Sequence, residues 1–353
     1  MEQIMTTNRS HAPDASAKGT CGTVGLPLIE KYRPKTLDEV IDHDAKIETL
    51  RGLIAQNQLP HLLFYGPPGG GKTSLILALA RELYGPDYRK YIKEINGSSD
   101  RGIDTIRNTV VSFIQARSDM VKLVILDEAD ALTGEAQGAL KSVMEVYAKY
   151  CRFCLICNDC TKISQALMSR CVKMVFSNLQ PEAIKGRLGE IAAAEHIRIT
   201  DDGLDAMIIL ERDFRQLLNV LQGMSTYYGA TETIIGADQV YEYMGKPTTE
   251  TVDKMINALF ARPFLEAFDV LTGLIRDCKI NIVDMVSFLL RKILTIDLSV
   301  DQRHLLIETL STIDRNARVG ADSDIQLALL TSAFSKARAM GGEAAKSGAQ
   351  PTH

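Results

Sequence analysis

The sequence predicts an α/β unit built on a parallel sheet, followed by two all-helical units. Three observations carry that expectation. Between Leu26 and about Asn178, short apolar runs bounded by turn residues alternate with segments of helical period, the pattern of βαβ units. From Gln180 onward strand signals stop and amphipathic helical patterns take over. Gly245-Lys246-Pro247 then reads as a linker that divides those helices into two sets. The 353 residues agree, since ~150 per domain gives two to three domains. The boundaries that follow are a tail over 1–25, a sheet unit over 26–178, a helical unit over 179–246, a second helical unit over 247–338 and a tail over 339–353.

The elements come in order. HLLFYG, YIKEIN, KLVILDEAD and RFCLICN read as buried strands, with helical pieces Lys72–Leu83, Gly102–Gln115 and Gly134–Lys149 between them. Pro181–Glu195, Asp201–Leu210 and Phe214–Tyr227 form the first helical set. Asp253–Phe260, Pro263–Cys278, Ile282–Leu294, Asp301–Arg318 and Asp324–Ala339 form the second. The two ends are rich in small polar residues and poor in large apolar ones, so both read as mobile tails.

Composition narrows the function classes. At 46% hydrophobic and 24% charged the chain falls outside the disordered, collagenous and disulfide-scaffold ranges. Forty Lys and Arg against 44 Asp and Glu leave a net charge of -4, so contact with nucleic acid needs a local basic patch. No apolar run approaches the ~18 residues of a membrane span, and no signal peptide opens the chain, so an intracellular protein with no membrane partner is expected. Seven Cys in such a chain read as reduced thiols. Cys151, Cys154, Cys157 and Cys160 have the three-residue spacing of an iron–sulfur ligand set, but on a strand Cys151 and Cys157 face one way and Cys154 the other. They read as buried thiols, and the six scattered His show no zinc spacing, so no metal beyond a nucleotide's own is expected.

The residues that carry chemistry begin with Gly66-Pro-Pro-Gly69-Gly70-Gly71-Lys72-Thr73, lying between a strand and a helix. Binding a triphosphate needs backbone N–H groups aimed inward, which glycines permit, and the positive end of a helix. It also needs a Lys for the β- and γ-phosphates and a hydroxyl for Mg²⁺. Lys72 and Thr73 fill the last two roles, with Ser74 following. KLVILDEAD supplies the other half. Asp127 and Glu128 fall at the C-terminal end of a buried strand, where Asp127 can reach the metal and Glu128 can polarise a water toward the γ-phosphate. The DEAD string also occurs in RNA helicases, but those carry a second α/β domain, and here helices follow residue 180.

LPLIEKYRPKTLDEV, HLLFYGPPGGGKTS, SSDRGIDTIR, LVILDEADALT, RFCLICN and SRC occur in this order. Together they resemble the small subunits of replication factor C, the eukaryotic clamp loader, over about Leu26 to Ala339, and most closely the type numbered subunit 3 in fungi and subunit 5 in animals. The resemblance implies an AAA+ ATPase module of sheet domain, helical lid and helical collar, working in the nucleus within a heteropentamer. It implies ATP and Mg²⁺, and as partners the other subunits, the sliding clamp PCNA and primer–template DNA, in replication and repair. It also assigns roles. Asn158 would orient the attacking water and Arg215 would be the lid's sensor. Arg170 would reach in trans into the adjacent subunit's site, and Tyr32, Arg33 and Pro34 would flank the base. Arg101 and Arg107, six residues apart and so not on one helix face, would touch the DNA backbone. Departures are Gly70 where the family usually has Thr, Lys141-Ser142 in an Ala-Leu-Arg-Arg pattern, Gln216 beside Arg215, and Leu28 in place of Trp. The alternative reading is a nucleotide-binding structural subunit of a related clamp-loader or checkpoint complex without turnover of its own.

Overall fold

A computed structural model describes residues 26–56, 58–99, 102, 104–229 and 233–347, and of residues 105–107 and 341–347 the backbone alone. Five parallel strands, β1 (Leu62–Tyr65), β2 (Ile92–Asn96), β3 (Lys122–Asp127), β4 (Cys151–Cys157) and β5 (Val172–Val175), form one sheet in the order β2-β3-β4-β1-β5. β1 lies between β4 and β5, with Leu62 opposite Cys154 on one side and Val172 on the other. The near-continuous apolar strands follow from burial on both faces, which crossover helices impose on a parallel sheet. One face packs Phe64, Ile125 and Cys154 against the helix Lys72–Tyr84. The other packs Leu63, Val124 and Leu155 with Cys151 and Cys157 against the helix Gly134–Val146. The cysteines thus divide between the two faces as period-two alternation predicts.

β5 is a fifth strand that the four expected ones omit. Of its residues only Met174 is buried, so the edge position leaves it without an alternating or continuous apolar pattern. The helix Asp44–Ala55 was not anticipated either, for it buries only Ile47 and Leu50. Where an α-helix was predicted over Gly102–Gln115, the backbone is a π-helix over Thr105–Val110 and α-helical over Val111–Gln115.

Beyond the sheet, Pro181–Ala194, Asp201–Leu210, Phe214–Gly229 and an additional helix, Ala237–Met244, share one apolar cluster. Leu28, Ile29 and Tyr32 pack in this cluster, although their place in the sequence puts them with the sheet unit. A second cluster joins Thr249–Ala261, Phe264–Cys278, Ile282–Thr295, Val300–Arg318 and the last helix. Side-chain oxygens of Thr248, Asn281 and Ser299 accept from first-turn N–H groups and set where three of these helices begin. The last helix runs Ser323–Ser347, which corrects the tail expected from 339. Ala, Glu and Lys in that stretch favour helix, and extending an existing helix needs no new nucleus. The tail over 1–25 lies outside the described residues.

Candidate active site

The glycine-rich loop leaves the C-terminal end of β1 and turns into the helix Lys72–Tyr84. Two of its glycines are compelled by their surroundings. A Cβ at Gly66 would lie 2.0 Å from the Phe176 carbonyl oxygen, and one at Gly69 would lie 2.2 Å from Asp213 Oδ1. Gly71 caps the helix in the left-handed region with no side-chain partner for the first-turn N–H groups, which suits an anion there.

Lys72 is the first residue of that helix and is buried. Its Nζ donates to the carbonyls of Gly66 at 2.8 Å and Pro67 at 2.7 Å and to Asn158 Oδ1 at 3.0 Å. Burial lowers its pKa, opposed by Asp127 and the other acids nearby. A phosphate oxygen would offer this amine a charged acceptor in place of neutral ones, a bond roughly twice as strong. The Thr73 hydroxyl donates to Asp127 Oδ2 at 2.8 Å, and the Glu128 N–H donates to Asp127 Oδ1 at 2.9 Å. Thr73 and Asp127 therefore present adjacent hard oxygens of the kind that hold Mg²⁺.

Glu128 has φ 51° and ψ 42°, a left-handed conformation that costs a non-glycine residue about 1 kcal/mol. The turn takes the chain off β3 and brings Glu128 to the edge of the cleft. Gly97 accommodates it, since a Cβ there would stand 2.4 Å from the Glu128 carbonyl oxygen. Asn158 follows β4, and the strand order sets the ends of β1, β3 and β4 side by side, which closes the 86 residues between Lys72 and Asn158.

One cleft gathers Gly69, Gly70, Gly71, Lys72, Thr73, Ser74, Asp127, Glu128 and Asn158, and its other wall carries Tyr32, Arg33, Pro34 and Arg215. Ile29, Leu179, Phe214 and Leu218 make that wall apolar, as a flat base requires. Glu195 holds the wall from behind, accepting from the Tyr32 hydroxyl and from Lys31 Nζ, each at 2.5 Å. Those two bonds, Lys31 first, keep the Glu195 carboxyl below the usual carboxylate range.

Other expected residues lie elsewhere. Arg170 follows the short helix Gln165–Met168, donates to the Ala166 carbonyl at 2.7 Å and pairs with Glu145, away from its own chain's cleft. Arg101 lies outside the described residues, as does the side chain of Arg107, whose backbone is in the π-helical turn. Three polar residues in the cleft or against its glycine loop escaped sequence reasoning. Arg187 lines the cleft, Asp213 leans on Gly69, and buried His43 bonds the Gly70 carbonyl. Only Asp213 had a local signal, as a side chain that accepts the Arg215 N–H at 2.8 Å and so opens a helix.

Comparison with known proteins adds to this geometry. Residues 62–179 match the model of the AAA family, ATPases associated with various cellular activities, and residues 247–333 match the replication factor C C-terminal domain. The chain is 36% identical to replication factor C subunit 3 of Schizosaccharomyces pombe, over 86% of this chain and 89% of that protein. It is 39% identical to the replication factor C small subunit of Archaeoglobus fulgidus, over 85% of this chain and 94% of the relative. With replication factor C subunit 5 of Arabidopsis thaliana it shares 40% identity over 89% and 88%. Among solved structures, the Thermotoga maritima RuvB Holliday junction branch migration motor superposes with a TM-score of 0.51 at 17% identity, covering 70% of this chain and 86% of that one, a likeness of fold.

Proposed function

The chain belongs to the replication factor C small subunits, and from that premise we propose that it is an ATP-hydrolysing subunit of the heteropentameric clamp loader, placing the sliding clamp PCNA on primer–template DNA in the nucleus during replication and repair. The observation that carries the reading is the convergence of Lys72, Thr73, Asp127, Glu128 and Asn158 on one cleft at the C-terminal edge of the sheet. Residues 26–178 act as the ATPase sheet domain, 179–246 as its lid and 247–338 as the collar that holds the subunits together.

The roles follow from the chemistry. Gly66, Gly69, Gly70 and Gly71 present backbone donors to the phosphates, and Lys72 supplies charge to the β- and γ-phosphates. Thr73 and Asp127 hold Mg²⁺, which when bound neutralises phosphate charge. Glu128 draws a proton from the attacking water, and Asn158, already bonded to Lys72, orients that water. Arg215 reaches the phosphates from the lid, while Tyr32, Arg33 and Pro34 flank the base. Arg170 serves the neighbouring subunit's ATP. Its exposed pairing with Glu145 supports this, because such a pair is worth little and is easily exchanged for a phosphate. Arg101 and Arg107 contact the DNA backbone.

The test is a reconstituted complex in which only this chain is altered. Lys72→Ala is expected to abolish ATP binding at this site and to impair clamp loading. Arg170→Ala is expected to be non-additive with the phosphate-loop lysine of the adjacent subunit and additive with Lys72→Ala. ATP affinity unchanged by Lys72→Ala would overturn the reading, and coupling of Arg170 to Lys72 would overturn the assignment in trans.

A further inference from the structure

His43 lies under the phosphate loop and is used by none of the roles above. It is only 2% exposed, its ring meets Phe176 edge-on with centroids 4.8 Å apart, and its Nε2 is 2.7 Å from the Gly70 carbonyl oxygen. Its Nδ1 is 3.4 Å from Lys46 Nζ. A carbonyl can only accept and an ammonium can only donate, so the two neighbours require the same tautomer, with the proton on Nε2 and the lone pair on Nδ1. Burial pushes the pKa of this imidazole down, opposed first by the bond to Gly70, which agrees with a neutral ring.

We propose that His43 is a positioning residue for the phosphate loop, which fixes the peptide between Gly70 and Gly71 so that the Gly71 N–H faces the bound phosphates. The argument is one of peptide geometry. In a trans peptide the carbonyl and the following N–H point in opposite directions. A carbonyl drawn to His43 on the core side therefore turns the Gly71 N–H to the other side, where Gly70, Gly71 and Lys72 line the cleft. Gly70 is followed by Gly71 at φ 80°, and two successive glycines give this peptide unusual freedom to rotate. An external clamp removes that freedom before the ligand arrives. A Cβ at Gly71 would stand 3.6 Å from His43 Nε2, so the ring also supports the following Cα. The effect is on binding. The loop meets the phosphates alike in the ground state and the transition state, so loss of the clamp should raise KM and leave kcat.

This inference rests on the reading of the cleft as an ATP site, and the experiment separates the two. In the assembled complex, with the other subunits' phosphate-loop lysines replaced so that only this site binds, a fluorescent ATP analogue is titrated and single-site turnover is measured. His43→Phe keeps a ring against Phe176 and removes the donor. It is expected to weaken binding about tenfold, the effect of losing one hydrogen bond, with kcat within about twofold and only a small fall in the melting temperature of the free complex, since the freed Gly70 carbonyl can turn toward the open cleft. His43→Gln places an amide nitrogen near the position of Nε2 and should restore affinity to within about threefold. His43→Asn places it near Nδ1 and should not, which preserves the test if the Phe variant fails to assemble. Wild-type affinity in both His43→Phe and His43→Asn, with Lys72→Ala binding nothing, would overturn this inference alone. Equal losses in the Gln and Asn variants, with kcat and melting temperature falling together, would also overturn it by making His43 a packing residue. Normal binding by Lys72→Ala would overturn the ATP site itself.

Discussion

The two ends of the sheet use the same kinds of polar residue for opposite purposes. At the C-terminal end, Lys72 rests on the carbonyls of a glycine loop and on the Asn158 side chain, and Thr73, Asp127 and Glu128 hold one another beside an open cleft. At the N-terminal end, buried Lys122 donates to the carbonyls of Phe113 and Ala116, each at 2.5 Å, where the helix Val111–Gln115 stops. Arg152 donates to the carbonyls of Leu59 and Ala148, and the Tyr84 hydroxyl donates to that of Val121 at 2.7 Å. Those donors pair carbonyls at the ends of helices and strands, which have no partner within their own element. A buried lysine is thus not in itself a sign of a site. What separates Lys72 from Lys122 is whether its partners can be exchanged for a stronger, charged ligand.

Variants at the two ends should therefore divide cleanly between chemistry and stability, and any that moves both would break the comparison. The largest effect is expected for Glu128→Gln, which keeps shape and polarity but cannot take a proton. Turnover at this site should fall by about 10²–10⁴, with ATP affinity and melting temperature unchanged, measured by single-site hydrolysis in the assembled complex. Next comes Lys122→Met, which leaves two helix-end carbonyls unpaired. It should cost about 2–3 kcal/mol in denaturant unfolding while ATP binding per folded molecule stays at the wild-type level.

The smallest effect concerns His61, which precedes β1 and whose Nδ1 accepts from the Phe153 N–H at 3.1 Å. Burial, and then the nearby Arg152, push its pKa down to about 4. Above about pH 6.5 neither folded nor unfolded chain protonates this ring. Between pH 6.5 and about 4 only the unfolded chain takes up the proton, so stability is lost as the pH falls. Relative to wild type, His61→Gln should gain about 1 kcal/mol at pH 5, its partial exposure being allowed for, and nothing at pH 7.5. Parallel curves for the two proteins would remove His61 from this account.

How much was legible in the sequence follows from the same division. Phosphate chemistry demands particular residue types at fixed spacing, so the loop at Lys72 and the pair Asp127 and Glu128 could be read directly. Period-two alternation in β4 told which cysteines share a face, because both faces of that strand are buried. β5 gave no such signal, since Val172, Lys173 and Val175 are exposed at a sheet edge. His43 was invisible because its partner is a main-chain carbonyl 27 residues away, and a carbonyl leaves no mark in a sequence. Arg187 was hidden in another way. Its helix is amphipathic whether or not one polar residue faces a ligand.

The packing of Leu28, Ile29 and Tyr32 has a mechanical side. Among the described residues, the chain passes from the apolar cluster of the first helical unit at Leu28 to Tyr32 into that of the sheet by Leu37, and returns between Phe176 and Leu179. Two bodies joined by one strand of polypeptide can swivel in every direction. Joined at two separated points, they turn chiefly about the line through those points, as a door does on a pair of hinges. Both crossings are braced, one by Arg81 donating to the Pro34 carbonyl at 3.0 Å and the other by the Gln180 N–H donating to Asp42 Oδ2 at 2.9 Å. Rotation about that axis would carry Tyr32 and Arg215, which share one wall of the cleft, together toward or away from Lys72 on the other.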